Sequence, residues 1–388
     1  MKNLLLVLLL LALLVSCDKS SSRYEDTAHW EIPVDTVLID TGEDFINLRH
    51  GTYFSGLSHD KNYLFNSGAT SPYLERINLE TLKFEERMIF DDDGPNAFGD
   101  YVNRVSSDVN NNLVLTSWDG TSVFNMQKEK LKKYLLMGGD FKGDGLEGRE
   151  QFISQIIPSK DYSEAFGLIQ DFANGDVFFV ILYDDTQTLE KTRLEGFEKA
   201  EEFAVAYSAG GGASIAYQTT EITRLGNKLF ITNPAFSRIA VYDLDQRDLR
   251  YYDCKPTLTA SEKVGRYNRN VHSMEEFDEE RVKIEEEVTF FPLMGGFDDE
   301  RYVRLSIIGK SKINAQSMSE INDYVVFLTI LNKSFEVVDE VKVEDGVGKL
   351  FTKSFPQKPF LKDGKIWLYL NMDDELAFVR LDCNRLIL

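Results

Sequence analysis

The chain has 388 residues, with 43 Lys and Arg against 64 Asp and Glu, a formal net charge of -21 and only three cysteines. Such an acidic surface repels nucleic acid and anionic headgroups, which excludes partners held through their phosphates. Three cysteines make no disulfide framework, while 43% apolar and 12% aromatic residues suffice for a full core.

The first element is a leader. Met1, Lys2 and Asn3 precede a run, residues 4–16, that is apolar up to Ser16 and too short to span a bilayer as a mature helix. It ends in LVSC, where Leu14, Val15 and Ser16 stand before Cys17 in the pattern of a bacterial lipobox. The expectation is cleavage before Cys17 and diacylglycerol on its thiol, with palmitate as a further acyl group. Residues 17–29 are polar enough to remain a tether. With no basic patch beside it, membrane attachment then rests on the acyl chains alone. Asp18 directly after the cysteine fits inner-membrane retention under enterobacterial sorting rules, whereas acidic residues near the cysteine accompany surface export in other envelopes, and the expectation is the outer rather than the inner membrane of the cell envelope.

From residue 30 onward a polar turn leading into an apolar strand recurs six times: HDKNYLFN (59–66), NNNLVLTS (110–117), NGDVFFVILY (174–183), GNKLFITN (226–233), NDYVVFLTIL (322–331) and DGKIWLYLN (363–371). Each is followed by further strands in which apolar and polar residues alternate, the period of a half-buried strand. Glycine-bearing connectors separate the units: DDDGPNAFGD (91–100), GGDFKGDGLEGRE (138–150), SAGGGAS (208–214), LMGGFDDE (293–300) and EDGVGK (344–349). The pattern predicts an all-β chain, a six-bladed β-propeller of antiparallel four-stranded blades forming one domain over 30–388. Taking Tyr63, Leu113, Val177, Leu229, Tyr324 and Ile366 as equivalent points, the intervals are 50, 64, 52, 95 and 42 residues. The long interval predicts an insertion with a short surface helix near 271–288, where HSMEEFDEERVKIEEEV carries dense charge and few turn residues. The last blade is short of a strand, and IPVDTVLID (32–40) alternates well enough to supply it and close the ring.

The lipobox at Cys17, GPNAFG (94–99), GDGLEGREQF (143–152) and FDDERYVRLS (297–306), with its aspartates and Tyr-x-Arg strand, resemble the six-bladed propeller lipoproteins of unknown function that are numerous in the Bacteroidota. In pattern these are distantly similar to NHL and TolB-like propellers, although Leu146 stands where the NHL junction carries proline or a small residue. The resemblance implies a fold and an envelope location, and no reaction.

Propellers bind ligands on the face that gathers blade-to-blade connectors and second-to-third-strand loops. If the recurring strands are second strands, that face receives 91–99, 117–120, 183–185, 233–237 and 371–375. The candidate ligand contacts are Trp118 with Asp119, and Asn233 and Phe236 with Arg238, suited to stacking on a sugar or peptide and hydrogen bonding to it. DFKGDGLEGREQ (140–151) has an EF-hand-like start but Lys142 and Gln151 at ligand positions, so no metal site is expected. HExxH, GxSxG and phosphate-loop signatures are absent, and His29, His50, His59 and His272 are scattered. Adjacent carboxylates such as Asp184 and Asp185 are solvated turn residues. No catalytic residue and no cofactor are assigned. Cys254 and Cys383 are open to pairing or to remaining free. The leading expectation is a non-catalytic binding or assembly module for a glycan, peptide or partner protein. The alternatives are a propeller hydrolase or lyase acting on polysaccharide, and a structural subunit of an envelope complex.

Overall fold

A computed structural model describes residues 32–384, apart from 69–72, 99–100, 119, 137–139, 210–211, 296–300, 315–317 and 353–355. The expected signal segment and Cys17 therefore lie outside the described residues.

Six sheets follow one another along the chain, antiparallel and built from inner to outer strand in sequence order, except that Lys142–Gly143 adds in parallel outside blade 3 and the outer strand of blade 6 comes first in the chain. Blade 1 comprises Gly56–Leu57, Tyr63–Ser67, Tyr73–Asn78 and Lys83–Ile89. Blade 2 comprises Arg104–Ser107, Leu113–Thr116, Gly120–Phe124 and Lys130–Leu135. In blade 3 the inner strand is split into Glu150–Phe152 and Ile157–Pro158, followed by Glu164–Asp171, Val177–Tyr183 and Thr188–Arg193. Blade 4 holds Glu221–Leu225, Lys228–Asn233, Phe236–Asp243 and Asp248–Tyr252. Blade 5 has a split inner strand, Thr289–Phe290 and Met294–Gly295, then Arg301–Ile313, Ser319–Asn332 and Val337–Lys342. Blade 6 takes Phe360–Lys362, Lys365–Met372 and Glu375–Asp382 from the end of the chain. Its outer strand is Val34–Leu38, paired antiparallel from Val34 with Leu381 to Leu38 with Ala377. Asp35 fixes that closure by accepting from both the Nε and an Nη of Arg380 at 2.7 Å and from Lys365 at 3.0 Å. The Arg380 guanidinium holds the Asp35 carboxyl below its ordinary range, against the opposing effect of burial.

The recurring polar turns have one physical cause. In blades 1 and 2 a side-chain carboxylate takes backbone N–H groups ahead of it while a following turn residue adopts a positive φ. Asp60 accepts from Asn62 N, Asp108 from Asn110 N and Asn112 N, and Lys61 and Asn111 are left-handed at φ 59 and 61. These turns join first to second strands on what we term the turn face. The recurring strands are second strands in blades 1, 2, 4 and 6, as the sequence suggests, but third strands in blades 3 and 5. The true blade 3 turn is SKDYS (159–163), with Asp161 accepting from Ser163 N and left-handed Tyr162 at φ 63. A tyrosine there hides the turn, because Gly or Asn is the usual occupant of that conformation. LMGGFDDE is likewise no connector between blades, since Met294–Gly295 belongs to the inner strand of blade 5.

Hydrophobic clusters fill all six seams between neighbouring blades. Phe65, Leu74, Leu113 and Phe124 join blades 1 and 2; Val114, Val123, Ile169 and Leu182 join 2 and 3. Phe166, Phe179, Leu229 and Tyr242 join 3 and 4; Phe230, Val241 and Leu331 join 4 and 5. Leu305, Leu328, Ile366 and Leu381 join 5 and 6, and Leu64, Ile77, Trp367 and Phe378 join 6 and 1. Each such side chain contributes about 1.5–3 kcal/mol on burial, so the ring is held by its seams.

The insertion builds a cap over blades 3 to 5. Strands Val205–Ala209 and Gly212–Ala216 form a hairpin to which Asn270–Val271 adds in parallel. The expected helix spans Met274–Glu285, opened by Ser273, whose hydroxyl accepts from Glu276 N. Phe277 and Ile284 pack with Val205 and Val271 beneath it, whereas Met274, expected on the same stripe, is exposed. Tyr324, on the long third strand of blade 5, donates to Glu285 at 2.6 Å and docks the helix on the ring. Cys254 and Cys383 are buried, free thiols on different blades.

Candidate functional site

The loop face, opposite the turn face, carries the blade-to-blade connectors and the second-to-third-strand loops. Of the segments expected there, 183–185 lies on the turn face instead. It joins the third and fourth strands of blade 3, and Asp184 pairs with Lys132 of blade 2.

The expected ligand cluster divides. Asn233 is buried, donating to Gln218 O at 2.8 Å and Thr220 Oγ1 at 3.0 Å while accepting from Ala235 N at 2.8 Å. That bond curls the NPAF turn inward and seats Phe236 edge-on against Phe197, 5.2 Å between ring centroids. Both are therefore interior residues with no free surface for a ligand. Arg238 lies over the Tyr251 ring at 5.1 Å and 3.5 Å from Asp253, away from Trp118. Asp119 is outside the described residues. Trp118 is 69% exposed, on a loop-face turn of blade 2.

The structure gives Trp118 partners that local sequence pattern does not reveal. Its indole stacks on Tyr101 at 5.7 Å with 19° between planes. Tyr101 meets Phe54 at 6.3 Å, Phe54 meets Tyr53 at 5.0 Å, and the Lys358 ammonium sits 5.2 Å above the Tyr53 ring. All five residues belong to loop-face turns or to connectors running into inner strands. The aromatic row thus leads from the outer rim of blade 2 to the mouth of the central channel.

Three charged groups meet at that mouth. Lys358 stands just before the inner strand of blade 6, while Arg104 and Glu221 open the inner strands of blades 2 and 4. Alternate blades thus present charge to one axis. Solvent reaches the Lys358 side chain, yet protein surrounds it on nearly every side, as a channel position demands. That crowding, with Arg104's charge second, pushes the amine down to about 8, and Glu221 acts in the opposite direction. Among the described residues neither Lys358 nor Arg104 has a carboxylate within ion-pairing distance or a hydrogen-bond acceptor.

Elsewhere the ionised groups are absorbed by structure. Arg304, the arginine of the Tyr-x-Arg strand, is fully buried and donates to Phe291 O at 2.7 Å and Ser237 O at 2.8 Å, with Asn233 O and Phe236 O beyond. It clamps blade 5 to blade 4, and burial depresses it to about 10. In the EF-hand-like segment, Asp144 accepts from Lys191 N and Glu150 pairs with Lys191 Nζ at 2.8 Å. Among the described residues no cluster of His, Cys, Asp and Glu is placed to hold a metal ion, and no helix is long and apolar enough to cross a membrane. His50 packs edge-on to Phe54 on the loop face; His59 is an exposed turn-face residue and His272 precedes the cap helix.

A family model for a domain of unknown function, DUF4221, matches residues 30–342. The chain belongs to the DUF4221 family. A solved member from Bacteroides vulgatus is 14% identical, with a TM-score of 0.51 over 91% of this chain and 98% of its own. An exported protein from Bacteroides fragilis is 10% identical over 90% and 95%, TM-score 0.46. Oligogalacturonate lyase from Vibrio parahaemolyticus is 12% identical over 91% and 97%, TM-score 0.37. No curated protein matches. Likeness at these identities gives the propeller fold alone, and the family carries no assigned activity.

Proposed function

We propose that this DUF4221 member is a lipid-anchored cell-envelope propeller that binds a glycan on its loop face as a non-catalytic module. The observation that carries the reading is the aromatic row from exposed Trp118 through Tyr101, Phe54 and Tyr53 to the channel mouth. Trp118 and Tyr53 are exposed at the two ends of the row, with Tyr101 and Phe54 half-buried between them, and an exposed aromatic face is what a sugar ring stacks on. Titration of the full chain, purified in detergent, against an oligosaccharide panel tests it. Binding that Trp118→Ala weakens supports the reading, and the absence of binding to any sugar sinks it.

The anchor follows from LVSC at 14–17. Outer strand Val34–Leu38 starts beside Leu381 at the turn face, so the amino-terminal end leaves the domain opposite the aromatic row. A lipid on Cys17 leaves the binding face unobstructed. Labelling of cells with an alkynyl fatty acid, lost in Cys17→Ser, checks the modification, and protease treatment of intact cells checks outer-membrane display.

Lys358 favours a second reading, as a hydrolase or lyase. An amine near 8 is partly unprotonated at neutral pH and can accept a substrate proton. Release of new sugar ends from a polysaccharide panel, abolished in Lys358→Met, distinguishes it from binding alone.

A further inference from the structure

We infer that the channel mouth is an anion subsite, in which Lys358 and Arg104 together hold the carboxylate or sulfate of an acidic oligosaccharide whose neighbouring rings lie along Trp118, Tyr101 and Tyr53. This rests on the glycan-binding reading and narrows it to a charged class of sugar.

In a chain of net charge -21 carboxylates are plentiful, and many positive groups find one: Lys191 with Glu150, Arg269 with Glu201, Arg281 with Glu285, Arg380 with Asp35. Deeply placed cations without such a partner are met by carbonyls, as Arg304 is by four and Lys263 by Ile284 O at 2.8 Å and Thr289 Oγ1 at 3.0 Å. Among the described residues Lys358 and Arg104 have neither, and Arg104 stands close enough for its charge to disfavour that of Lys358. Two like charges held near one another form an arrangement that an anion relieves. Glu221, the carboxylate facing them across the axis, offsets one charge and leaves the site net positive.

The aromatic row decides between kinds of anion. It begins at the channel mouth, with the Lys358 ammonium over the Tyr53 ring, and continues without a break to the rim. A small free anion would use only the cations. A chain of rings bearing one negative group per unit uses both, with flat faces on the aromatics and its charge in the mouth. The surrounding acidic loop face, including 91–93, disfavours polyanions lying flat across it and admits a charged end into the channel.

The test is calorimetric titration of the full chain with a uronate tetrasaccharide, a sulfated tetrasaccharide, a neutral tetrasaccharide and an oligoglutamate peptide. The expected result is binding of one or both acidic sugars at least tenfold tighter than the neutral one. Lys358→Met and Arg104→Gln each weaken it tenfold or more at unchanged melting temperature or above. Which acidic sugar binds tells carboxylate from sulfate. The groups facing Lys358 are Arg104, Glu221 and Tyr53. Affinity therefore falls as pH rises through about 8 toward 9.5, where the amine loses its proton, and this fall disappears in Lys358→Met. Equal binding of neutral and acidic sugars, with Trp118→Ala still weakening both, overturns the anion subsite and leaves the glycan reading intact. Binding of the peptide and no sugar overturns both.

Discussion

Two regions of the ring treat positive charge in opposite ways. At the seam of blades 4 and 5, Arg304 and Lys263 are enclosed by protein, and their donors end on backbone carbonyls and one hydroxyl. At the channel mouth, Lys358 and Arg104 are also set among protein, but among the described residues no carboxylate or carbonyl meets them, and solvent reaches Lys358. Removing a cation from water costs several kcal/mol unless donors are satisfied. The first region recovers that cost through its own fold. The second keeps its cations open to solvent, where a partner from outside can supply the missing acceptors.

Breaking the satisfied region should have the largest effect. Arg304→Met strands four carbonyls in the seam between blades and should cost about 3–5 kcal/mol of stability in denaturant titration, with Arg304→Lys recovering only part. A loss under about 1 kcal/mol would show that the clamp is not needed. Lys263→Met follows at about 2 kcal/mol, because only two close acceptors, Ile284 O and Thr289 Oγ1, lose their donor. Trp118→Ala should leave stability within about 0.5 kcal/mol while weakening sugar binding roughly tenfold. The smallest effect reverses sign: Lys358→Met should raise the melting temperature slightly at pH 7. The native amine titrates near 8, below its ordinary value, so the folded state carries an unfavourable charge at lower pH. The wild-type chain recovers as pH rises above 8, and the advantage of the variant should vanish by about pH 10.5. A lower melting temperature for this variant at pH 7 would place Lys358 with the structural cations.

The ring was readable in the sequence wherever local chemistry repeats. Asp60, Asp108 and Asp363 sit in turns that any blade of this type needs, and 32–40 alternates cleanly because one side of the closing strand is buried. Blades 3 and 5 escaped the repeat for particular reasons. Tyr162 occupies a left-handed position without the usual residue, and the hairpin of Arg301–Ile313 and Ser319–Asn332 outgrows the blade to receive the cap helix. The site was less legible. Trp118 stands out as an aromatic in a polar turn, but Tyr53, Tyr101 and Lys358 come from three connectors that only ring closure brings together. Asn233 and Phe236 misled because NPAFS looks like an exposed loop, whereas the Asn233 carbonyl turns the chain back into the core.

The pairing of Val34–Leu38 with Glu375–Asp382 also governs the order of events at synthesis. The first strand of the domain to emerge can find its neighbour only when nearly the whole chain has followed, the Asp35 to Arg380 contact spanning 345 positions. Blades 1 to 5 can assemble hairpin by hairpin, but the last seam waits, and such distant pairings make folding slow. Until then a newly made chain has a free strand at one end and an open sheet edge at the other. The same geometry that lets one chain close on itself lets two chains trade their first strands, so crowding of nascent chains favours exchanged dimers whenever the carboxyl-terminal hairpin is delayed.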